Sequence, residues 1–283
     1  MVRSLTAFVA LTAATLDSTA QEDVPRWPLR VETGALELTA RWERLTDTVY
    51  KFEQKYPLIR DLAPAVPIAH HEAALFQSLL PPAAVAVGET WRVDVDAALP
   101  FLRQLHPGAT KLLHHDRGMG VAAPGGFACL RALDDAHAEI ALRLHADFRI
   151  AGDGAGNDSS WFTPAQFRGR LALDRRRNAV VAFELAVPPA SANVDVNVAD
   201  DGNVFADIGR VPRMDVAGGS FPEFGADATQ IAVASADDRL ARAFYPFAAI
   251  EWLDLESARA ESRESGKPLH VVALFGSLMD ESC

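Results

Sequence analysis

The sequence predicts an α+β fold: a mainly antiparallel β domain with a few helices, followed by one more helix and one more strand. Two long hairpins predict the β domain. In "FACLRALDDAHAEIALRLHADFRI" Asp134-Asp135 interrupts two alternating runs, and in "FRGRLALDRRRNAVVAFELAVP" an arginine-rich tip does the same. The C-terminal helix and strand follow from "LDLESARAESRESGKPLHVVALFG", a cappable polar helix and then a short apolar run bounded by Gly and Pro. At 283 residues, 49% hydrophobic and 23% charged, the chain is long enough to bury a sizeable core. The organisation expected is a leader over 1–20, a β-rich domain over 21–243 and a further unit over 244–283.

Taken in order, Arg3, the weakly apolar "SLTAFVALTAATL" and the small residues before Gln21 have the layout of a secretory signal cleaved after Ala20. An ordinary amphipathic N-terminal helix is the competing reading. Export to the periplasm or outside the cell implies a compartment that permits disulfides. No stretch approaches the ~20 apolar residues of a spanning helix, so no membrane span is expected. "ALELTARW" and "ETWRVDV" alternate as strands, "IAHHEAALFQSLL" has helical apolar spacing, and "LPFLRQL" suits a short helix. In the second hairpin, alternation places Phe167, Leu171, Leu173, Val181, Phe183 and Leu185 in the core. "GDGAGNDSS" reads as a loop and "GGSFPEFGADA" as the most linker-like part of a weakly patterned region, 203–243.

The net charge of -11 excludes nucleic acid as the main partner, because phosphate binding needs clustered Lys and Arg. Arg175-Arg176-Arg177, the densest basic run, reads as a solvated hairpin tip. No nucleophile elbow, Walker loop or dinucleotide fingerprint occurs, and the scattered carboxylates, Asp94 and Asp96 among them, form no assignable pair. His70-His71-Glu72 and His114-His115-Asp116 offer metal-binding side chains, but neighbours on a helix point about 100° apart, so no metal site is expected.

The two cysteines form no disulfide scaffold. Cys129 alternates with Phe127 and Arg131 on a strand, where a buried thiol is inert. Cys283 lies beyond the apolar run Leu269, Val271, Val272, Leu274 and Phe275, with His270 inside it as a half-buried histidine or a tuner of the site. Asp254 caps the preceding helix, Glu256 suits its dipole, Leu255, Ala258 and Ala260 are its apolar positions, and Gly266 stops it. Helix, "SGKP", apolar strand, small loop, cysteine is the order that opens many thioredoxin-like domains. No C-x-x-C is present.

"SLMDESC" resembles the redox site of the selenoprotein N family, a Ser-Cys-selenocysteine-Gly motif, through Gly276, Leu278, Asp280, Ser282 and Cys283. A second stretch, "WFTPAQFRGRLALDRRRNAVVAFELAVPPASANVDV", is similar to the family's hairpin and following strand through Pro164, Ala165, Gln166, Phe167, Gly169, Asn193, Val194 and Asp195. The resemblance is traceable over about 160–200 and 250–283. It implies a thiol/selenol oxidoreductase acting on a thiol or disulfide protein, with Cys283 and Ser282 as site residues and no separate cofactor. It also implies a selenocysteine immediately after Cys283, encoded by UGA and read as a stop, so that 244–283 is the start of an incomplete thioredoxin-like domain and the 283-residue chain is inactive alone. The family's EF-hand and membrane anchor are not visible: from Asp153 the sixth loop position is Asp158, and from Asp195 it is Asp200, where glycine is needed. These departures suggest a bacterial-type relative. A noncatalytic secreted β-rich binding module, whose last helix and strand are merely its final elements, is the alternative.

Overall fold

The computed structural model of the chain describes residues 24–110, 125–150, 160–200, 203–245, 253–269 and 271. In chain order these residues form β1 (Ala35–Trp42), α1 (Phe52–Lys55), α2 (Pro57–Arg60), β2 (Ile68–Glu72), α3 (Ala73–Gln77), β3 (Thr90–Arg92), α4 (Val95–Leu105), β4 (Ala109–Thr110), β5 (Gly126–Leu133), β6 (His137–Leu144) and β7 (Asp147–Ile150). Then come β8 (Ser160–Pro164), β9 (Phe167–Asp174), β10 (Ala179–Ala186), β11 (Val194–Asp200), β12 (Asn203–Gly209), β13 (Met214–Gly219), β14 (Thr229–Gln230), α5 (Val233–Phe244) and α6 (Leu255–Ser265). The α+β expectation holds.

The strands make two antiparallel sheets. The larger runs β14-β5-β6-β9-β10-β13-β1-β2, with β3 also on β5, and the smaller runs β12-β11-β8-β7-β4. Both sequence-derived hairpins form: β5 and β6 turn at Asp134-Asp135, and β9 and β10 turn through Asp174 to Asn178, whose φ of 49° supplies the left-handed step. Two β-ribbons run from one sheet into the other. β6 and β9 pair down to Leu144 and Phe167, and two residues later the same chain segments pair again as β7 and β8. β10 and β13 likewise lead into β11 and β12. Bends of this kind are how strands turn from one packed sheet to another.

An aromatic cluster fills the space between the sheets: Trp42 and Phe162 lie with ring centroids 5.4 Å apart, and Phe148 is 6.1 Å from Phe167. Helices α3 and α4 cover the inner face of the larger sheet, with Phe101 stacked on Phe183 at 4.5 Å and Phe76 5.2 Å from Phe101. Asp94 caps α4 by accepting from the Asp96 amide at 3.1 Å, so the helix starts at Val95, four residues before the expected start at Leu99, and carries Pro100 inside it.

Three expectations change. "IAHHEAALFQSLL" is not one helix: Ile68–Glu72 is an edge strand on β1, and only Ala73–Gln77 is helical. Pairing with β1 overrides the local spacing, and Gln104 locks it, its Nε2 donating to the Leu38 carbonyl at 2.8 Å while its Oε1 lies 3.0 Å from His71 Nε2. The "GGSFPEFGADA" stretch is not a free linker. Gly218 and Gly219 end β13, and a Cβ on Gly218 would stand 2.0 Å from the Glu37 carbonyl oxygen, so glycine is what lets β1 and β13 approach. Val181 is only half-buried while Val180 is in the core, because the register with β9 shifts between Val180 and Ala182. Val181 is the extra residue of a β-bulge, and a bulge reverses the in-out order on its N-terminal side. Phe167, Leu171, Leu173, Phe183 and Leu185 are buried as expected.

The bulge makes a direct prediction. Val180→Ala should cost about 1–2 kcal/mol of stability through lost burial, and Val181→Ala less than half of that, as read from denaturant midpoints. Equal losses would mean that the bulge is misplaced.

Candidate functional site

The residues of the second matching stretch, Pro164 to Phe167 and Asn193, meet at the two ribbon bends. Pro164 ends β8, Ala165 and Gln166 make the step, and Phe167 begins β9. The Ala165 amide donates to the Asn193 carbonyl at 2.8 Å, tying the first bend to the second. The Asn193 side chain closes the second bend: its Nδ2 donates to the carbonyls of Val211 at 2.9 Å and Pro188 at 3.2 Å, and its Oδ1 accepts from the Val211 amide at 2.8 Å. Buried backbone groups freed by a bend need such partners, and one carboxamide meets both the donor and the acceptor of Val211. A Cβ on Gly169 would lie 2.3 Å from the Glu184 carbonyl oxygen, so glycine permits the close β9–β10 approach there.

Gln166 faces the other way, onto the outer surface of the larger sheet. Its Oε1 accepts from Arg143 Nε and its Nε2 donates to the Tyr245 hydroxyl at 2.6 Å. Arg143, 3% exposed, also lies over the rings of Phe244 and Tyr245, at 5.7 and 5.8 Å from their centroids. This holds the C-terminal end of α5, whose Ala236, Leu240 and Phe244 pack on the sheet. Arg168–Asp237 at 3.5 Å and the Arg239 guanidinium on the Gly88 carbonyl at 2.7 Å fix the rest of the helix.

Beside α5 runs a row of matched charges. Arg131 pairs with Glu139; Arg170 reaches Glu139 at 3.6 Å and Glu184 at 2.7 Å. The hydrogen bond to Glu184, above all, raises the affinity of Arg170 for its proton. Phe221 lies over the Arg170 guanidinium at 4.0 Å and Phe224 over that of Arg131 at 5.3 Å, so the segment after β13 is strapped across the row. With each guanidinium set against carboxylate and ring, the row is built to hold elements together rather than to turn over a substrate. Sequence reasoning missed it, although the signal was present: Arg131, Arg143, Arg168 and Arg170 occupy the same-face positions of three successive strands.

Cys129 is fully buried beneath α5 with Ala141, Ala236 and Leu240, and burial pushes its thiol from 9.0 up to about 11. It is the inert thiol expected. His70 lies 3.2 Å from Glu37 and His71 contacts Gln104. Among the described residues, no group of three or more His, Cys, Asp or Glu is placed to hold a metal. A surface hollow of about 250 Å³ between the hairpin tips and the N-terminal segment is lined by Leu29, Arg30, Asp135 and Arg175, far along the sheet from the bends. No helix of the described residues is long and apolar enough to cross a membrane.

Cys283 and Ser282 lie outside the described residues, as do 1–23, His114, His115, Asp116, His270 and 272–283; of the apolar run expected as a buried strand, only Leu269 and Val271 are described, and both are exposed and outside any strand. The helix leading toward them is described and is capped as expected: Asp254 accepts from the amides of Glu256 and Ser257 at 3.0 and 2.9 Å, and Gly266 takes the left-handed conformation at φ 68°. None of its residues is buried.

The described part is thus an α+β scaffold with one silent thiol and a polar anchor for α5. Selenoprotein N of Danio rerio is 27% identical to it over a 271-residue alignment covering 78% of this chain and 48% of the relative. Selenoprotein N of Homo sapiens is 27% identical, with 78% and 46% covered, and that of Mus musculus 26%, with 77% and 48% covered. These similarities give the chain a selenoprotein N-like family relationship, and they reach well beyond the two stretches in which the motifs lie. The chain spans about half the length of the curated relatives it matches. No family model and no solved structure matches.

Two outcomes test this anatomy. Gln166→Leu should destabilise the fold by about 1–3 kcal/mol and speed amide exchange selectively in Ala241–Tyr245; unchanged exchange there would remove Gln166 from the α5 anchor. Cys129 has a folded-state pKa above its unfolded one, so its contribution to stability is complete below about pH 9 and is lost as pH rises toward about 11. In a Cys283→Ser background the native protein should resist thiol-specific alkylation at neutral pH and react only on unfolding; fast native labelling would contradict burial.

Proposed function

We propose that the chain is the scaffold and redox-cysteine portion of a selenoprotein N-like thiol/selenol oxidoreductase of an exported compartment. The observation that carries this is the coincidence of the selenoprotein N-like relationship with the "SLMDESC" match, in which Ser282 and Cys283 occupy the positions of the family's redox motif. In this reading a selenocysteine follows Cys283 and its selenolate attacks a disulfide of a protein substrate. A selenium–sulfur bond forms, and one substrate thiolate leaves. The Cys283 thiolate then attacks selenium, forming the Cys283–selenocysteine bond and releasing the second substrate thiolate; an external thiol reductant resets the pair. Cys129, buried and with a raised pKa, takes no part. The signal-like start, cut after Ala20, fits a periplasmic or secreted setting.

The test uses the full-length protein carrying selenocysteine after Cys283. Disulfide-reductase turnover should be lost in Cys283→Ser, which leaves the mixed selenosulfide unresolved, and be retained in Cys129→Ala. Full activity in Cys283→Ser, or loss in a folded Cys129→Ala protein, would overturn the assignment.

A further inference from the structure

The hollow between the hairpin tips is lined by charges that the fold leaves uncommitted. The three-arginine run splits there: Arg176 and Arg177 are exposed, as a solvated tip requires, but Arg175 is half-buried and lines the hollow. Its Nη1 donates to the Asp134 carbonyl, which fixes the guanidinium, and among the described residues no carboxylate pairs with it. Arg131 and Arg170 on the same sheet are each matched with carboxylates and a ring. Carboxylates adjacent in sequence are already engaged. Asp134 accepts from the Ala136 and His137 amides at 2.8 and 2.6 Å, and Asp174 from those of Arg176 and Arg177 at 2.9 and 3.0 Å. Asp135, also in the lining, is exposed and has no side-chain partner among the described residues. Arg30, on the N-terminal segment, has only a loose pair with Glu32 at 3.8 Å. The walls are held in place. The Arg175 amide donates to the Ala136 carbonyl at 2.8 Å, tying one tip to the other, while the Glu32 amide donates to the Asn178 carbonyl at 2.8 Å and Trp27 exchanges bonds with Val85 at 2.9 and 3.0 Å. The stretch bearing Leu29 and Arg30 is therefore pinned at both ends. Leu29 and Leu173, both buried, supply the apolar part of the lining. A pre-formed concavity with an apolar wall and a few convergent polar groups has the form of a small-molecule site.

We propose that this hollow binds a free α-amino acid, with its carboxylate on the guanidiniums of Arg175 and Arg30, its ammonium beside Asp135 and its side chain over Leu29 and Leu173. Size sets the class of ligand. The volume of about 250 Å³ lies above the ~150 Å³ that encloses benzene and below the ~300–1,000 Å³ of pockets for drug-sized molecules, which admits an aliphatic amino acid and excludes a nucleotide. Charge sets its polarity: the lining carries two guanidiniums against one carboxylate on a chain whose net charge is -11, so an anionic group is drawn to this place. A carboxylate matches the planar fork of a guanidinium. An acid without an ammonium would leave Asp135 facing a like charge, and an amine without a carboxylate would meet two cations; a zwitterion satisfies all three groups. The site does not depend on the redox reading.

The experiment is calorimetric titration of the full chain with free amino acids, leucine first, alongside isocaproate, which lacks the ammonium, and isoamylamine, which lacks the carboxylate. Leucine should bind saturably at a single site and more tightly than either analogue. Arg175→Gln should weaken leucine by roughly tenfold or more, the loss expected for a charge-assisted hydrogen bond. Because that change also removes the bond to the Asp134 carbonyl, the exposed Asp135→Asn serves as the second variant. It should leave melting unchanged and weaken leucine while leaving isocaproate no weaker than before. The absence of saturable binding by any free amino acid overturns the proposal. So do equal affinities for leucine, isocaproate and isoamylamine, and so does leucine binding indifferent to both Arg175→Gln and Asp135→Asn.

Discussion

Everything in this fold depends on carrying two β-ribbons through a bend while leaving no buried peptide group unpaired. A ribbon that turns from one sheet into another breaks its own ladder at the turn, and each orphaned donor or acceptor costs on the order of 1–3 kcal/mol in a dry interior. The carboxamide of Asn193 meets this constraint by taking both backbone groups of Val211, while the Asn193 backbone carbonyl accepts from the amide of Ala165 in the neighbouring ribbon. Aspartate could not donate and leucine could do neither, so the residue type is dictated by the bend. The aromatic core follows, because Phe148 and Phe162 meet Trp42, and Phe167 packs on Phe148, only if the β6–β9 ribbon turns into β7–β8.

The outer face obeys a different rule. Alternation along β5, β6 and β9 places arginines and glutamates on the face away from the main core, yet that face is covered by α5 and by the strap bearing Phe221 and Phe224. Covering charges is costly, and a matched row of this kind stabilises little compared with an apolar surface of equal area. What it supplies is geometry: a planar guanidinium accepts a carboxylate at its edge and a ring on its face at once, so Arg170 fixes Glu139, Glu184 and Phe221 in one arrangement. Arg143 does the same for Gln166 and the aromatic end of α5.

Periodicity made the sheet legible where strands are long and one-sided, as in the β5–β6 and β9–β10 hairpins, and capping chemistry made α6 legible from Asp254 to Gly266. It failed where tertiary pairing competes with local spacing. Ile68–Glu72 has too few residues to separate a period of two from one of 3.6, and β1 decided the matter. Val181 was misassigned because a bulge is a difference of one residue between two strands, invisible in either alone. The region after 203 looked featureless because β12 exposes its apolar side chains and β13 ends in paired glycines, which periodicity scores as loop. The motif residues Pro164 to Gly169 and Asn193 to Asp195 stood out through family resemblance, and their physical role, as the bend, needed the fold.

The placement of the thiols bears on the proposed chemistry. A disulfide-exchange centre on a large scaffold is exposed to a side reaction, capture by any second accessible thiol of the same chain. Cys129 forecloses it twice over. It has no exposed surface, and the apolar floor made by Ala141, Ala236 and Leu240 holds it protonated at any physiological pH. The helix that seals this pocket is α5, which the bend residue Gln166 anchors through Tyr245. The residues that let the ribbons turn therefore also keep the scaffold's one thiol out of reach, which under the proposed function leaves Cys283 as the only cysteine of these 283 residues able to exchange.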